Sequence, residues 1–185
     1  MKKGQLPTNA GSSDKNMWND TDIPLAYLIT FRTYGTWLPG DERGSVDRFH
    51  NIYNEPYAAA NARLKTYHLN RLKSDSVKLD ARQRKSVDNA VREVCQHKKW
   101  GLMALNVRTN HVHLVADIGL NKPEHALNAF KAYSTRKMRQ NNCWDFEHSP
   151  WVNKGSIRHL RNEKNIEMAV DYVIKGQGAD LPKFG

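Results

Sequence analysis

Apolar and polar positions along the chain fall into two alternating rhythms. Leu25 to Thr33 (LAYLITFRT) is apolar and rich in β-forming residues, and it reads as a strand. Tyr57 to Lys73 predicts a helix, with Pro56 at its start. Asp80 is a candidate N-cap for a longer helix reaching Lys98, because Val87, Ala90, Val91 and Val94 recur at helical spacing. Leu102 to Val107 and His111 to Ile118 read as two strands, and Arg108-Thr109-Asn110 between them is short enough for a hairpin turn. Pro123 to Asn142 reads as a second long helix, with Pro near its start and Asn at its end. Ser156 to Leu160 predicts a fourth strand, and Asn162 caps a last helix through Lys175, closed by Gly176.

That order is strand, helix, strand, strand, helix, strand, with one helix after it. It predicts an α+β protein with a ferredoxin-like βαββαβ core, an antiparallel sheet and helices on one face. Gly and Pro interrupt regular structure between Tyr34 and Asp41. Residues 1–20 are polar, with Gly, Pro, Ser and Asn, and read as a disordered tail ahead of a single domain at 21–185. The fold hosts many chemistries, so function has to be read from particular residues.

Charge narrows the choice of partner. Among 185 residues, 29 Lys and Arg face 19 Asp and Glu, a net charge of +10, which points to an anionic partner such as nucleic acid. The two cysteines, Cys95 and Cys143, form no CxxC pair, which argues against a zinc ribbon or a disulfide framework and suits a reducing cytoplasm. The basic start has no apolar run after it, and no stretch is apolar enough to cross a bilayer, so neither a signal peptide nor a membrane span is expected.

The sharpest local feature is Asn110-His111-Val112-His113-Leu114-Val115-Ala116. Side chains alternate along a strand, so His111 and His113 share one face, about 7 Å apart by strand rise. Val112, Leu114 and Ala116 take the other face and can pack under helices. Two imidazoles on a rigid strand can share a divalent cation, or they can be ordinary half-buried histidines. Tyr133 lies on the helix from Pro123, among Lys131, Arg136, Lys137 and Arg139. Nearby cations favour a phenolate, which is a competent nucleophile toward a phosphodiester. The alternative is an amphipathic tyrosine at the edge of the core.

These residues carry a family resemblance. Asn110 to Val115 resembles the HUH motif, two histidines around a hydrophobic residue. Phe130-Lys131-Ala132-Tyr133-Ser134 is similar to the tyrosine helix of single-tyrosine HUH transposases. The segment Trp151 to His159, the loop Gly35 to Asp41 and the ending Asp171 to Gly178 resemble REP-associated tyrosine transposases and related insertion-sequence transposases, so that the likeness runs from about Leu25 to Gln177. The resemblance implies a metal-dependent strand transferase acting on single-stranded DNA beside a hairpin. His111 and His113 would hold Mg²⁺ or Mn²⁺, and Tyr133 would attack to leave a 5′-phosphotyrosine and a free 3′-OH. In several relatives a Gln one helical turn after the tyrosine completes the metal site. Lys137 stands at that position, and an ammonium has no acceptor for a cation. A third ligand would then come from Gln140, from Asp41 or from water.

DNA contacts outside that trio are expected from Trp37 and Arg43 in the first loop, from Lys131, Arg136 and Lys137 on the tyrosine helix, and from Lys154, Arg158 and Arg161. Trp37 either stacks on a base or packs over the sheet edge. Classical single-tyrosine relatives pair as dimers and REP-associated ones resemble monomers. The short link from His113 to Tyr133 favours a monomer. Two other readings remain: a hairpin-binding protein or repressor without cleavage, which Lys137 favours, and a metal-dependent phosphoesterase in which water attacks.

Overall fold

The computed structural model describes residues 23–42 and 59–178. The elements run β1 (Ala26–Arg32), α1 (Ala62–Leu69), α2 (Ala81–Lys98), β2 (Gly101–Val107), β3 (His111–Asp117), α3 (Pro123–Gln140), β4 (Ser156–Leu160) and α4 (Glu163–Lys175). The four strands form one sheet in the order β2-β3-β1-β4, antiparallel at each pairing. This is the ferredoxin-like arrangement that the pattern predicts. Arg43 and the 1–20 tail lie outside the described residues, as do Pro56 and Tyr57.

Local chemistry explains most element ends. A capping box starts α2: Asp80 Oδ1 accepts from Gln83 N (2.8 Å), and Gln83 Oε1 accepts from Asp80 N (3.0 Å). Arg108 N donates to His111 O (2.8 Å), closing the β2–β3 turn. The helix expected from Tyr57 is shorter than predicted. Asn61 caps it by accepting from Leu64 N, and none of its residues is buried. No apolar stripe extends it, so it ends at Leu69.

Strand alternation divides the core between two faces. Tyr27, Ile29 and Phe31 of β1 and Val112, Leu114 and Ala116 of β3 meet Val87, Val91 and Val94 of α2 and Leu127, Phe130 and Met138 of α3. Ala26 and Leu28 of β1, Ala104 of β2, Val115 of β3 and Leu160 of β4 meet Ala169 and Val173 of α4 on the opposite face. The two helices of the βαββαβ core therefore share one face, as expected. The last helix adds a third layer that an arrangement with helices on one face leaves out. Ile166, Ala169, Val170 and Val173 recur at helical spacing, and they pack on the apolar patch around Leu28 and Val115 on the face opposite α2 and α3. Among the described residues, no helix is long and apolar enough to cross a membrane.

Candidate active site

The histidine strand is the central feature of the α4 side. Because Val112 and Leu114 are drawn into the α2/α3 core, His111 and His113 must face α4. Their rings lie 4.6 Å apart, edge to face. On the neighbouring strand, Thr30 pairs in register with His113 and Arg32 with His111. One strand further, Ser156 lies opposite Thr30 and Arg158 opposite Leu28, so both belong to the same face.

Each imidazole is oriented through Nδ1. Thr30 Oγ1 lies 2.6 Å from His113 Nδ1, and Asn110 Oδ1 lies 2.8 Å from His111 Nδ1. His111 Nε2, at the other end of the ring, lies 3.4 Å from Gln177 Oε1. Gln177 is itself oriented, since its Nε2 donates to the Tyr172 carbonyl (3.0 Å) and turns Oε1 toward the histidines. With a proton on His111 Nδ1 toward Asn110, Nε2 and Oε1 present lone pairs to each other, a juxtaposition that a cation satisfies. His113 is buried, and its pKa falls to about 3 through burial and the nearby charges of His111 and Arg158, against a smaller upward pull from a Gln177 hydrogen bond. It is therefore a neutral imidazole at pH 7, the form that ligates metals. No group of three or more His, Cys, Asp or Glu side chains suited to a metal occurs among the described residues. The donor set at this place is two imidazoles and one amide oxygen.

A tyrosine also stands here. The Tyr172 ring lies 5.4 Å from the His113 ring, and Tyr172 is 46% exposed. It rides on α4, which Asn162 starts by accepting from Asn165 N (2.8 Å). Gly176 ends the helix directly over Tyr172. A Cβ there would fall 2.7 Å from the Tyr172 carbonyl oxygen and 2.9 Å from Tyr172 Cδ2, so only glycine lets the chain double back and bring Gln177 to the histidines. Arg32, half-buried on the same sheet face, donates from Nη1 to Trp37 O (2.7 Å), and burial lowers its pKa. Trp37 is held at φ +53°, an unusual conformation for a bulky residue, with its ring 6.5 Å from that of His111.

The fold does not bring Tyr133 to the histidines. Tyr133 packs against the α2/α3 core, so the sheet stands between it and the face carrying His111 and His113. The cause is the burial of Leu127, Phe130 and Met138, which commits α3 to the other side of the sheet. Gln140, on the same helix, goes with it. Asp41 is buried and pairs with Lys65 (3.5 Å), so its carboxylate is already engaged in the loop. Lys137 forms an ion pair with Glu93 of α2 (2.5 Å), which removes its bearing on the metal site.

Lys131 is also corrected. It is 8% exposed, and its Nζ donates to the carbonyls of Val152 (2.8 Å), Asn153 (3.0 Å) and Lys154 (3.1 Å). Burial pushes its pKa down to about 8. It ties α3 to the segment entering β4, so its ammonium is already engaged by three carbonyls. Replacing it with Met leaves three carbonyls without that donor, and we expect a loss of roughly 1–3 kcal/mol in urea unfolding. A change under a few tenths of a kcal/mol would contradict this role. Arg136 stays exposed, 4.2 Å from the centroid of the Tyr133 ring. Lys154 and Arg161 are exposed, before and after β4. Of the expected DNA contacts, Trp37 and Arg158 are the ones gathered around the histidine face. Tyr172, Gln177, Thr30 and Arg32, which sequence reasoning does not single out, also stand at this face.

The βαββαβ sheet of this basic protein thus gathers paired histidines, an amide and a tyrosine on the face that α4 covers. The chain belongs to the IS200-like transposase family, whose model it matches over residues 63–173. As a member of that family it is a transposase, an enzyme acting on DNA. A crystal structure of a transposase candidate from Deinococcus radiodurans R1 is similar, with TM-score 0.44 and 15% identity over 97% of this chain and 100% of that one. A REP-associated tyrosine transposase bound to a REP hairpin is similar too, with TM-score 0.46 and 12% identity over 87% of this chain and 76% of that one. Among curated proteins, none matches the chain.

Proposed function

We propose that this transposase cuts and rejoins single-stranded DNA beside a hairpin, with Tyr172 as the nucleophile. The observation that carries the reading is the Tyr172 ring 5.4 Å from His113, on the same side of the sheet as both histidines. The Tyr172 oxygen forms a bond to the scissile phosphorus as the bond to the 3′ oxygen breaks. A 5′-phosphotyrosine and a free 3′-OH result, and attack by a 3′-OH reverses the step and joins strands. The bond energy is kept in the covalent link, so no ATP is needed. His111, His113 and Gln177 Oε1 would hold Mg²⁺ or Mn²⁺. When bound, the ion supplies Lewis-acid polarisation of the phosphate. Arg32 and Arg158 add positive charge on the same face, and Trp37 offers a ring for an unpaired base. The neighbour bound to a REP hairpin is in keeping with a hairpin substrate. Because Tyr172 and both histidines belong to one chain, a monomer suffices for this chemistry.

The reading without cleavage drew its support from Lys137, and that residue is paired with Glu93 on the other side of the sheet. Incubating the full chain with labelled single-stranded hairpin DNA and Mn²⁺ tests the proposal. A cut strand accompanied by a protein–DNA band stable to denaturation is expected. Binding without cutting would leave a repressor-like protein, and free cut product without a covalent band would leave a hydrolase.

Thr30 has a positioning role in this scheme. Thr30→Val removes the partner of His113 Nδ1 at nearly constant volume, and we expect Mn²⁺ affinity to fall roughly 10–100-fold by calorimetry. Thr30→Ser, which keeps the hydroxyl, restores it. Unchanged affinity in the valine variant would remove Thr30 from the site.

A further inference from the structure

The proposed chemistry leaves the basic face of α3 unused. A groove of about 560 Å³ runs along it, lined by Asn128, Thr135, Arg136 and Arg139 from the helix and by Glu147 and Ser149 from the loop that follows. The loop that supplies Glu147 and Ser149 also carries three packed rings. Phe146 is 59% exposed and lies 4.9 Å from Trp144 and 5.2 Å from His148, while Trp144 is buried as the base of the cluster. The loop carrying them is held in place. Arg139 Nη2 donates to Phe146 O (2.9 Å) and Glu147 O (2.6 Å), and Trp144 Nε1 donates to His148 O (3.0 Å). Arg136 is held over the Tyr133 ring, which preorganises its guanidinium beside the groove.

We infer that this face is a second nucleic-acid contact, on the side of the sheet away from His111 and His113. An unpaired base stacks on Phe146, and an adjoining phosphate lies in the groove against Arg136. An exposed ring set next to fixed guanidinium groups is the combination that single strands use, with stacking for any base and charge for the backbone. The groove's size suits a nucleotide. The Glu147 carboxylate opposes a phosphate, but two arginines line the same groove, and the chain as a whole carries +10. The contact explains the basic helix face and gives Tyr133 the role of seating Arg136. A strand cut at the histidine face would have its flanking segment held on the opposite face of the same domain.

The test is fluorescence anisotropy of the full chain with labelled oligothymidylate, without hairpin and with EDTA in place of metal. Phe146→Ala is expected to weaken binding by roughly 5–150-fold, the range for loss of one stacked base. Phe146→Trp retains affinity. Arg136→Gln lowers the slope of log affinity against log salt by about one. Bromodeoxyuridine in the oligonucleotide is expected to cross-link to the peptide carrying Phe146. The inference is overturned if oligothymidylate does not bind, if Phe146→Ala binds like wild type, or if cross-links fall only on α4 and the histidine strand. Binding in EDTA does not need cleavage, so a failure here leaves the strand-transfer proposal standing, and the reverse also holds.

Discussion

Tyr172→Phe abolishes the covalent protein–DNA band and lowers strand cleavage by roughly 10³-fold or more, as expected when a nucleophile is removed. Tyr133→Phe leaves both in place. The pair of variants is informative because each removes a single oxygen. The Tyr172 ring, and with it the edge contact to His113, stays in the phenylalanine variant. Likewise the Tyr133 ring keeps its packing on the α2/α3 core and its contact with Arg136. Neither change opens a cavity, so a difference between them reports chemistry. Their surroundings also differ. Tyr172 is half-exposed with its ring against that of His113, whereas Tyr133 has the sheet between it and the histidine face. Denaturing gels and mass spectrometry of the digested adduct give the readout. An adduct that survives in Tyr172→Phe, or one that vanishes in Tyr133→Phe, would return the nucleophile to α3.

The second large effect concerns the metal. In His113→Ala, Mn²⁺ affinity is expected to fall by more than the roughly 10–100-fold typical of losing only a positioning partner. Cleavage falls with it. His113 is buried, neutral at pH 7 and held through Nδ1 by Thr30; in the tautomer whose Nδ1 proton goes to Thr30, Nε2 presents its lone pair to a cation. The alanine variant also leaves a space between Thr30 and Tyr172. A thermal melt run alongside separates lost folding from lost binding, and His113→Asn, which fills part of that space, provides a second reading. Calorimetry showing wild-type Mn²⁺ affinity in both variants would remove the metal from this place.

Two residues singled out from the sequence, Tyr133 and Lys131, are placed by the fold away from the histidine face, and for a shared reason. Tyr133 drew attention because it follows the HxH strand and sits among cations, yet proximity along the chain says little about which face a helix covers. The signal for Tyr172 was present. The resemblance places a glutamine one helical turn after the tyrosine in several relatives, and Gln177 stands five residues after Tyr172, just beyond the helix-ending Gly176. Lys131 misled for a related reason. A lysine on a helix reads as surface charge, and only the path of the segment before β4 supplies three carbonyls to bury it.

By itself, the sequence determined the order of elements, most of their bounds, and the sharing of one strand face by His111 and His113. These follow from period, caps and turn residues, which act within a few positions of one another. The tertiary structure decided which helix lies over that face. The apolar stripe of α4 fits either side of a sheet, and the choice fell to the side that α2 and α3 leave open. That long-range packing brings Tyr172 and Gln177 to histidines some sixty residues earlier and leaves Tyr133 on the other side of the sheet.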